Sequence, residues 1–201
     1  MTIAAILFDY GGTITKRGSE SISGVLASIY GIGEEEAESN IWKPFCSLQR
    51  GEMTEEEFCS IIKGDFGNDP RCSVQNLFSR QKQCLEPDAG MMKIVRNLQS
   101  KGYVTALLSN TIRYHADLHR SRGDFDQFHP IILSCEVSMR KPESRIYRLA
   151  CRKMGKRPEE CVFIDDKAEL LPPAKELGVN VILFETPGKL MKALARLGVS
   201  L

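Results

Sequence analysis

The sequence predicts an α/β protein: a parallel sheet covered by helices on both faces, with a helical insertion after the first strand. Short apolar runs alternate along most of the chain with segments of helical periodicity, which is typical of a sheet buried on both sides. Residues 16–86 break this rhythm, because they contain helical stripes and no convincing strand. We therefore predict a Rossmann-like three-layer core over residues 1–15 and 87–201 and a small helical-bundle domain over residues 16–86.

Five apolar runs are predicted to form the buried strands of the core. Each run is short, rich in aliphatic residues and followed by polar residues or glycine, as expected for strands of a parallel sheet. The runs span residues 3–8, 103–108, 131–133, 161–164 and 181–184.

Three helices are predicted between the later strands. Apolar spacing marks the first over residues 91–98, Pro142 is assigned to the first position of the second, and residues 168–177 form the third. Pro172 and Pro173 must lie near the start of the third helix or disturb it, because proline cannot donate a backbone hydrogen bond.

The insert is predicted to contain four helices. Apolar residues recur at helical spacing over residues 22–29, 41–48 and 74–85. Thr54 and Glu57 form a capping box ahead of the remaining apolar stripe. Four helices placed directly after the first strand are expected to cover the end of that strand.

Composition and charge exclude several classes of partner. The net charge of +1 gives no bulk attraction to nucleic acid or to an anionic membrane, and the basic segment 113–122 is interpreted as a solvated helix face. The chain contains neither a signal-peptide pattern nor an apolar stretch of membrane-spanning length. The 7 cysteines are odd in number and form no Cys-x-x-Cys pair, so we expect reduced thiols in a cytoplasmic protein.

Four polar motifs follow the predicted strands. Taken singly, each has an ordinary structural explanation: a turn, a helix N-cap, a loop before a helix-starting proline, and a solvated strand end. The carboxyl ends of parallel strands share one edge of a sheet, however, and ligands bind in the crevice there. The motifs are Asp9-Tyr10-Gly11-Gly12-Thr13, Ser109-Asn110-Thr111, Arg140-Lys141-Pro142-Glu143 and Asp165-Asp166.

The residue types in these motifs suit a metal and a phosphate. Asp9, Asp165 and Asp166 would repel one another without a cation, and ligands that are all oxygen favour Mg²⁺. Lys141 supplies a further positive charge. Hydrogen-bond donors for anionic oxygens are available from Ser109, Asn110 and the backbone amides around Gly11 and Gly12.

The order and spacing of these motifs resemble those of the haloacid dehalogenase superfamily of hydrolases. The resemblance covers nearly the whole chain, and its most specific segments are LLSNT, RKPESRIY and FIDD. Within the superfamily the chain looks most like the small phosphatases with a helical cap. These include bacterial glucose-1-phosphatases and the amino-terminal phosphatase domain of soluble epoxide hydrolase.

The resemblance implies a Mg²⁺-dependent phosphatase that acts on a small phosphorylated substrate. Asp9 is expected to be the nucleophile that forms an aspartyl phosphate, with Lys141 as the second catalytic group. The helical insert corresponds to the family's cap, which would choose the substrate. The remaining roles are phosphate binding by Gly12, Ser109, Asn110 and Lys141, and metal binding by Asp9, the Gly11 carbonyl, Asp165 and Asp166.

Two positions depart from the family pattern. Family phosphatases usually carry a second aspartate two residues after the nucleophile, and it protonates the leaving group and then activates water. Gly11 stands there in this chain and does neither, although its carbonyl still suits a metal. General acid–base catalysis is worth roughly 10²–10⁴-fold in rate, so its loss should lower the rate of hydrolysis. Leu170 occupies a position that is often asparagine.

Two alternatives to a phosphatase remain open at this point. A metal-independent 2-haloacid dehalogenase would use the same nucleophile, and Tyr147 after Lys141 is compatible with one, but the Asp165-Asp166 pair argues against it. A non-catalytic phosphate-binding or regulatory protein would explain Gly11 but not the retention of Asp9. The sequence identifies neither the natural substrate nor the oligomeric state.

Overall fold

A computed structural model describes residues 2–15, 21–79 and 86–200. Its centre is a five-stranded sheet in which all neighbouring strands run parallel, in the order β3-β2-β1-β4-β5. The α/β parallel-sheet prediction is therefore confirmed, and each predicted strand is present within two residues. The strands are β1 (Ala5–Phe8), β2 (Val104–Ser109), β3 (Ile131–Leu133), β4 (Cys161–Asp165) and β5 (Asn180–Leu183).

The central strand β1 is buried on both faces, which makes the core three-layered. Side chains alternate along a strand, so Ile6 and Phe8 join one apolar cluster while Ala5 and Leu7 join another on the opposite face. The first cluster includes the inward faces of two helices, α5 (Ala89–Ser100) and α10 (Pro187–Arg196). The second includes those of α8 (Ser144–Met154) and α9 (Pro172–Glu176).

Four helices of the insert follow β1 and share an apolar cluster, which also contains Ile112 from outside the insert. The capping box at Thr54 is present, with Thr54 Oγ1 accepting from the Glu57 amide at 3.1 Å. The fourth helix is described as far as Ser79, and the part of that prediction over residues 80–85 lies outside the described residues. The helices are α1 (Ile22–Tyr30), α2 (Glu34–Gln49), α3 (Glu55–Phe66) and α4 (Val74–Ser79).

Two predicted helix starts differ from the structure. Pro142 is not the first residue of a helix, because the chain makes a turn there, closed by a bond from the Glu143 amide to the Arg140 carbonyl at 2.8 Å. Helix α8 begins at Ser144 instead. The segment 168–177 is divided, since a short 3₁₀ turn over Ala168–Leu170 precedes α9, which begins at Pro172.

The basic segment 113–122 contains α6 (Arg113–Ser121), and its interpretation as a solvated face is wrong at His119. His119 is only 2% exposed and lies against Tyr10. Burial is tolerable because a neutral imidazole with a hydrogen-bond partner costs far less than a buried charge. One further short helix, α7 (Ser134–Val137), follows β3.

The described cysteines are free and buried, as expected for reduced thiols that fill apolar space. Among the described residues, no helix has both the length and the apolar character needed to cross a bilayer. The division of the chain into a core and a cap domain at residues 15 and 86 stays a prediction.

Candidate active site

The register of the sheet brings three of the predicted site residues to one edge. Phe8 pairs with Leu107 of β2 and with Ile164 of β4, so Asp9 follows the end of β1 between these two neighbours. Ser109 ends β2 and Asp165 ends β4, at the same carboxyl edge. The sequence prediction that these motifs meet is therefore supported by the strand pairing.

Three carboxylates form a compact cluster at this edge. Asp9, Asp165 and Asp166 each offer an oxygen, and these oxygens lie within 4.8 Å of one another. Lys141 joins the cluster, with its Nζ 2.6 Å from Asp9 Oδ1 and 2.6 Å from Asp165 Oδ2. The Lys141 side chain is 1% exposed, so one buried ammonium bridges two acids.

Lys141 reaches the cluster because Asn110 holds its backbone. The Lys141 amide donates to Asn110 Oδ1 at 2.8 Å, and Asn110 Nδ2 donates to the Lys141 carbonyl at 2.9 Å. The side-chain amide of Asn110 thus pairs with the backbone of the loop between α7 and α8, as a neighbouring strand would. The sequence placed Asn110 among the phosphate ligands, and its contact with Lys141 was not foreseen, because local patterns do not reveal long-range pairing.

Burial and neighbouring charges set the ionisation of the cluster. Burial raises the pKa of Asp9 to about 7; Lys141 opposes this shift, and Asp165 and Asp166 reinforce it. Burial also disfavours the charge on Lys141, but the adjacent Asp9 and Asp165 carboxylates prevail and raise the pKa of its ammonium. The cluster therefore holds a charged lysine and an excess of acids, which a cation would stabilise.

The two glycines after the nucleophile position differ in their surroundings. Gly12 has a φ of +82°, and a Cβ atom on it would lie 2.6 Å from Asp166 Oδ2, so only glycine lets the loop close against that carboxylate. Gly11 is exposed, and a Cβ atom there would meet no other atom within 4 Å. The place of the usual second acid is therefore open space.

The turn between α2 and α3 packs against the loop that carries Lys141. Arg50 Nε donates to Glu143 Oε1 at 2.8 Å, and Arg140 Nε donates to Gln49 Oε1 at 3.0 Å. The Arg140 guanidinium also lies 5.1 Å from the ring centroid of Trp42, and Trp42 is 52% exposed. These contacts join the insert to the site through residues next to the lysine.

The backbone of the insert comes close to the core at Gly51. This residue has a φ of +68°, and a Cβ atom on it would lie 2.2 Å from the Cys135 carbonyl oxygen. The backbone of the α2–α3 turn therefore rests directly on α7, which follows β3.

The donor set fits a hard divalent cation. All three clustered acids would bind a metal through oxygen. The cluster of Asp9, Asp165 and Asp166 contains neither histidine nor thiolate, the ligands that favour zinc. The Lys141 ammonium beside Asp9 also suits an anionic substrate, since its positive charge would offset the repulsion between that substrate and the Asp9 carboxylate. The fold and the site together define an α/β protein with a lysine-bridged cluster of carboxylates at the carboxyl edge of its parallel sheet.

The family is established by comparison with known proteins. A model of haloacid dehalogenase-like hydrolases matches residues 3–178, and the chain belongs to this family. It is 26% identical over 181 residues to a sesquiterpene phosphatase of Aspergillus oryzae, covering 89% of this chain and 88% of that protein. It is 28% identical over 129 residues to the rat bifunctional epoxide hydrolase 2, covering 62% of this chain and 23% of that protein.

A solved structure shows the same fold over nearly the whole chain. It is the magnesium complex of a HAD family enzyme from Bacteroides thetaiotaomicron, with a TM-score of 0.79 and 25% identity. The match covers 98% of this chain and 100% of that one. Several curated relatives are much longer proteins, of which this chain spans 19% to 24%.

Proposed function

We propose that this protein is a Mg²⁺-dependent phosphatase that hydrolyses a small phosphate monoester through an aspartyl phosphate on Asp9. The observation that carries the proposal is the buried cluster in which Lys141 bridges Asp9 and Asp165 beside Asp166. The Aspergillus relative is named a phosphatase, and the Bacteroides enzyme is solved with magnesium, which supports the same chemistry.

The first step transfers the phosphoryl group to the enzyme. A carboxylate oxygen of Asp9 attacks phosphorus, the bond to the leaving oxygen breaks, and the released alkoxide takes a proton from water, since Gly11 offers no acid. Lys141 binds an oxygen of the transferring phosphoryl group. Its positive charge offsets the repulsion between that group and the Asp9 carboxylate. The Ser109 hydroxyl and the second hydrogen of Asn110 Nδ2 donate further hydrogen bonds, whereas the Gly12 amide, expected to bind phosphate, already donates to Thr15 Oγ1 at 3.1 Å. Water then attacks the phosphorus of the aspartyl phosphate, which releases inorganic phosphate and restores the Asp9 carboxylate.

Asp9, Asp166 and the Gly11 carbonyl would hold the metal, with Asp165 beside them. Bound Mg²⁺ supplies Lewis-acid stabilisation of the phosphoryl oxygens. The two Asp165 oxygens are already engaged, since Oδ2 accepts from Lys141 and Oδ1 accepts from the Lys167 amide at 2.9 Å. Asp165 therefore mainly fixes Lys141.

Hydrolysis of p-nitrophenyl phosphate tests the proposal. Its leaving group needs little protonation, so the absence of an acid at Gly11 should matter least with this substrate. We expect turnover in Mg²⁺ and none in EDTA, measured as release of nitrophenolate. Absence of turnover by folded protein in Mg²⁺ would contradict the phosphatase, and turnover of a 2-haloacid in EDTA would establish a dehalogenase instead.

Gly11→Asp is expected to add the missing general acid. The position is open and its backbone lies outside the left-handed region, so the side chain fits without displacing a neighbour. We expect kcat/KM on an alkyl phosphate, whose leaving group needs a proton, to rise about 10-fold or more, with little change on p-nitrophenyl phosphate.

A matched control for this prediction is Gly64→Asp. Gly64 is also exposed with open space around a Cβ atom, but it lies on α3 of the insert. Both variants are assayed on the two substrates. An equal response of both, or no selective gain for Gly11→Asp on the alkyl phosphate, would show that the empty position does not limit leaving-group protonation.

A further inference from the structure

Tyr10, directly after the proposed nucleophile, enters a buried polar network that the reaction does not use. Its hydroxyl lies 3.1 Å from His119 Nδ1, which in turn lies 2.8 Å from Asp124 Oδ2. Arg122 Nε lies 3.2 Å from the same Asp124 oxygen. Tyr10 and His119 are both at most 3% exposed, so the network connects the nucleophile loop to α6 through the interior.

The protonation state of this network follows from its partners. Burial lowers the pKa of His119 despite Asp124, so its imidazole is neutral. A carboxylate only accepts, so the 2.8 Å contact assigns the hydrogen to His119 Nδ1, which donates to Asp124 Oδ2 and lies 3.1 Å from the Tyr10 hydroxyl oxygen. Asp124 thus anchors His119 directly and Tyr10 through it.

The backbone of Tyr10 organises the loop that follows it. Its carbonyl accepts from the Ile14 amide at 2.9 Å and the Thr15 amide at 3.0 Å. Thr15 Oγ1 then accepts from the Gly12 amide at 3.1 Å. One peptide group, between Tyr10 and Gly11, therefore fixes the loop whose Gly12 faces Asp166.

We propose that Tyr10 and His119 are positioning residues, which hold the Asp9–Gly12 loop in register for phosphoryl transfer through the hydroxyl–imidazole–Asp124 network. The inference rests on the proposed phosphatase function. The ring of Tyr10 already packs edge-on against Phe125 at 5.1 Å, so a phenylalanine would fill the same space. The contribution of the hydroxyl is therefore to orientation and not to packing. Its hydrogen bond fixes the orientation of the Tyr10 ring and hence of the peptide group that follows it.

Tyr10→Phe tests this role, with Tyr103→Phe as a matched control. Tyr103 also loses one hydrogen bond on substitution, to the Ser200 amide at 3.0 Å, but it precedes β2 at the opposite edge of the sheet. With p-nitrophenyl phosphate and Mg²⁺, we expect kcat of Tyr10→Phe to fall by about 10-fold to 100-fold while KM stays constant. Tyr103→Phe should keep the wild-type kcat.

A pair of His119 variants separates positioning from packing. His119→Asn keeps an N–H near the position of Nδ1, whereas His119→Leu removes it. We expect His119→Asn to retain most of the wild-type kcat and His119→Leu to lose as much as Tyr10→Phe. Equal activity of Tyr10→Phe and wild type, or equal loss in the two His119 variants, would overturn the proposal.

Hydrogen exchange gives a readout that does not depend on turnover. The Ile14 and Thr15 amides should exchange faster in Tyr10→Phe than in wild type or Tyr103→Phe, because their acceptor carbonyl is no longer held. Unchanged exchange at these amides would overturn the positioning role. If wild type hydrolyses no phosphate ester, the proposed function fails, and the exchange result still decides whether the network holds the loop.

Discussion

Asp9→Asn is expected to abolish hydrolysis of p-nitrophenyl phosphate while leaving the fold intact. The amide has the same shape but is not a nucleophile, so no aspartyl phosphate forms. Lys141 keeps its contact with Asp165 at 2.6 Å, which retains the bridge to the sheet edge. The measurement is kcat in Mg²⁺, together with the melting temperature.

The melting temperature adds a second expectation for this variant. Burial raises the pKa of Asp9, so in metal-free protein above about pH 7 the ionised carboxylate costs stability that a neutral amide does not. Asp9→Asn should therefore melt at or above the wild-type temperature at pH 8 in EDTA. Asp65→Asn, on the exposed face of α3, is the matched control. Residual activity in Asp9→Asn equal to that of this control would refute Asp9 as the nucleophile.

Lys141→Met is expected to cost both activity and stability. Methionine fills similar volume, but the substitution leaves Asp9 and Asp165 buried without the ammonium that bridges them. Breaking a buried ion pair by removing one partner typically costs about 3–5 kcal/mol of unfolding free energy. The measurement is urea unfolding in EDTA, with kcat in Mg²⁺ determined on the fraction that stays folded.

Lys175→Met provides the control for that loss, since Lys175 is exposed on α9. We expect it to unfold within about 0.5 kcal/mol of wild type, as surface substitutions usually do. A similar small effect in Lys141→Met would show that the two acids do not need the lysine. Retained turnover would remove Lys141 from the proposed catalytic groups.

The strands were predictable because each is an apolar run between breaking residues. Residues 131–133 were assigned correctly even though the run is very short, since Pro130 precedes it and the run itself is purely aliphatic. The start of α8 was not predictable from Pro142. Proline fits a first helical turn, but it fits a tight turn equally well, and the Glu143–Arg140 bond selects the turn.

The candidate site was predictable in its location and acids, but not in its supporting contacts. Asp9, Ser109 and Asp165 converge because parallel strands end at one edge, which is a rule of topology. The clamp of Asn110 on Lys141 and the burial of His119 depend on partners far along the chain. No local pattern distinguishes a buried histidine from a solvated one. The charged residues of α6 therefore predicted a solvated face, although His119 on that helix is buried.

The contact at Gly51 has a consequence for attempts to redesign substrate choice. The Cys135 carbonyl already occupies the space that a side chain at position 51 would need. The glycine at this position is therefore required by the distance between insert and core, and not by contact with a ligand. A variant library that randomises the whole α2–α3 turn would mostly sample proteins with the insert wedged away from the core. Grafting another insert onto this core requires a glycine at the same point of the turn, while the helices on either side can be exchanged.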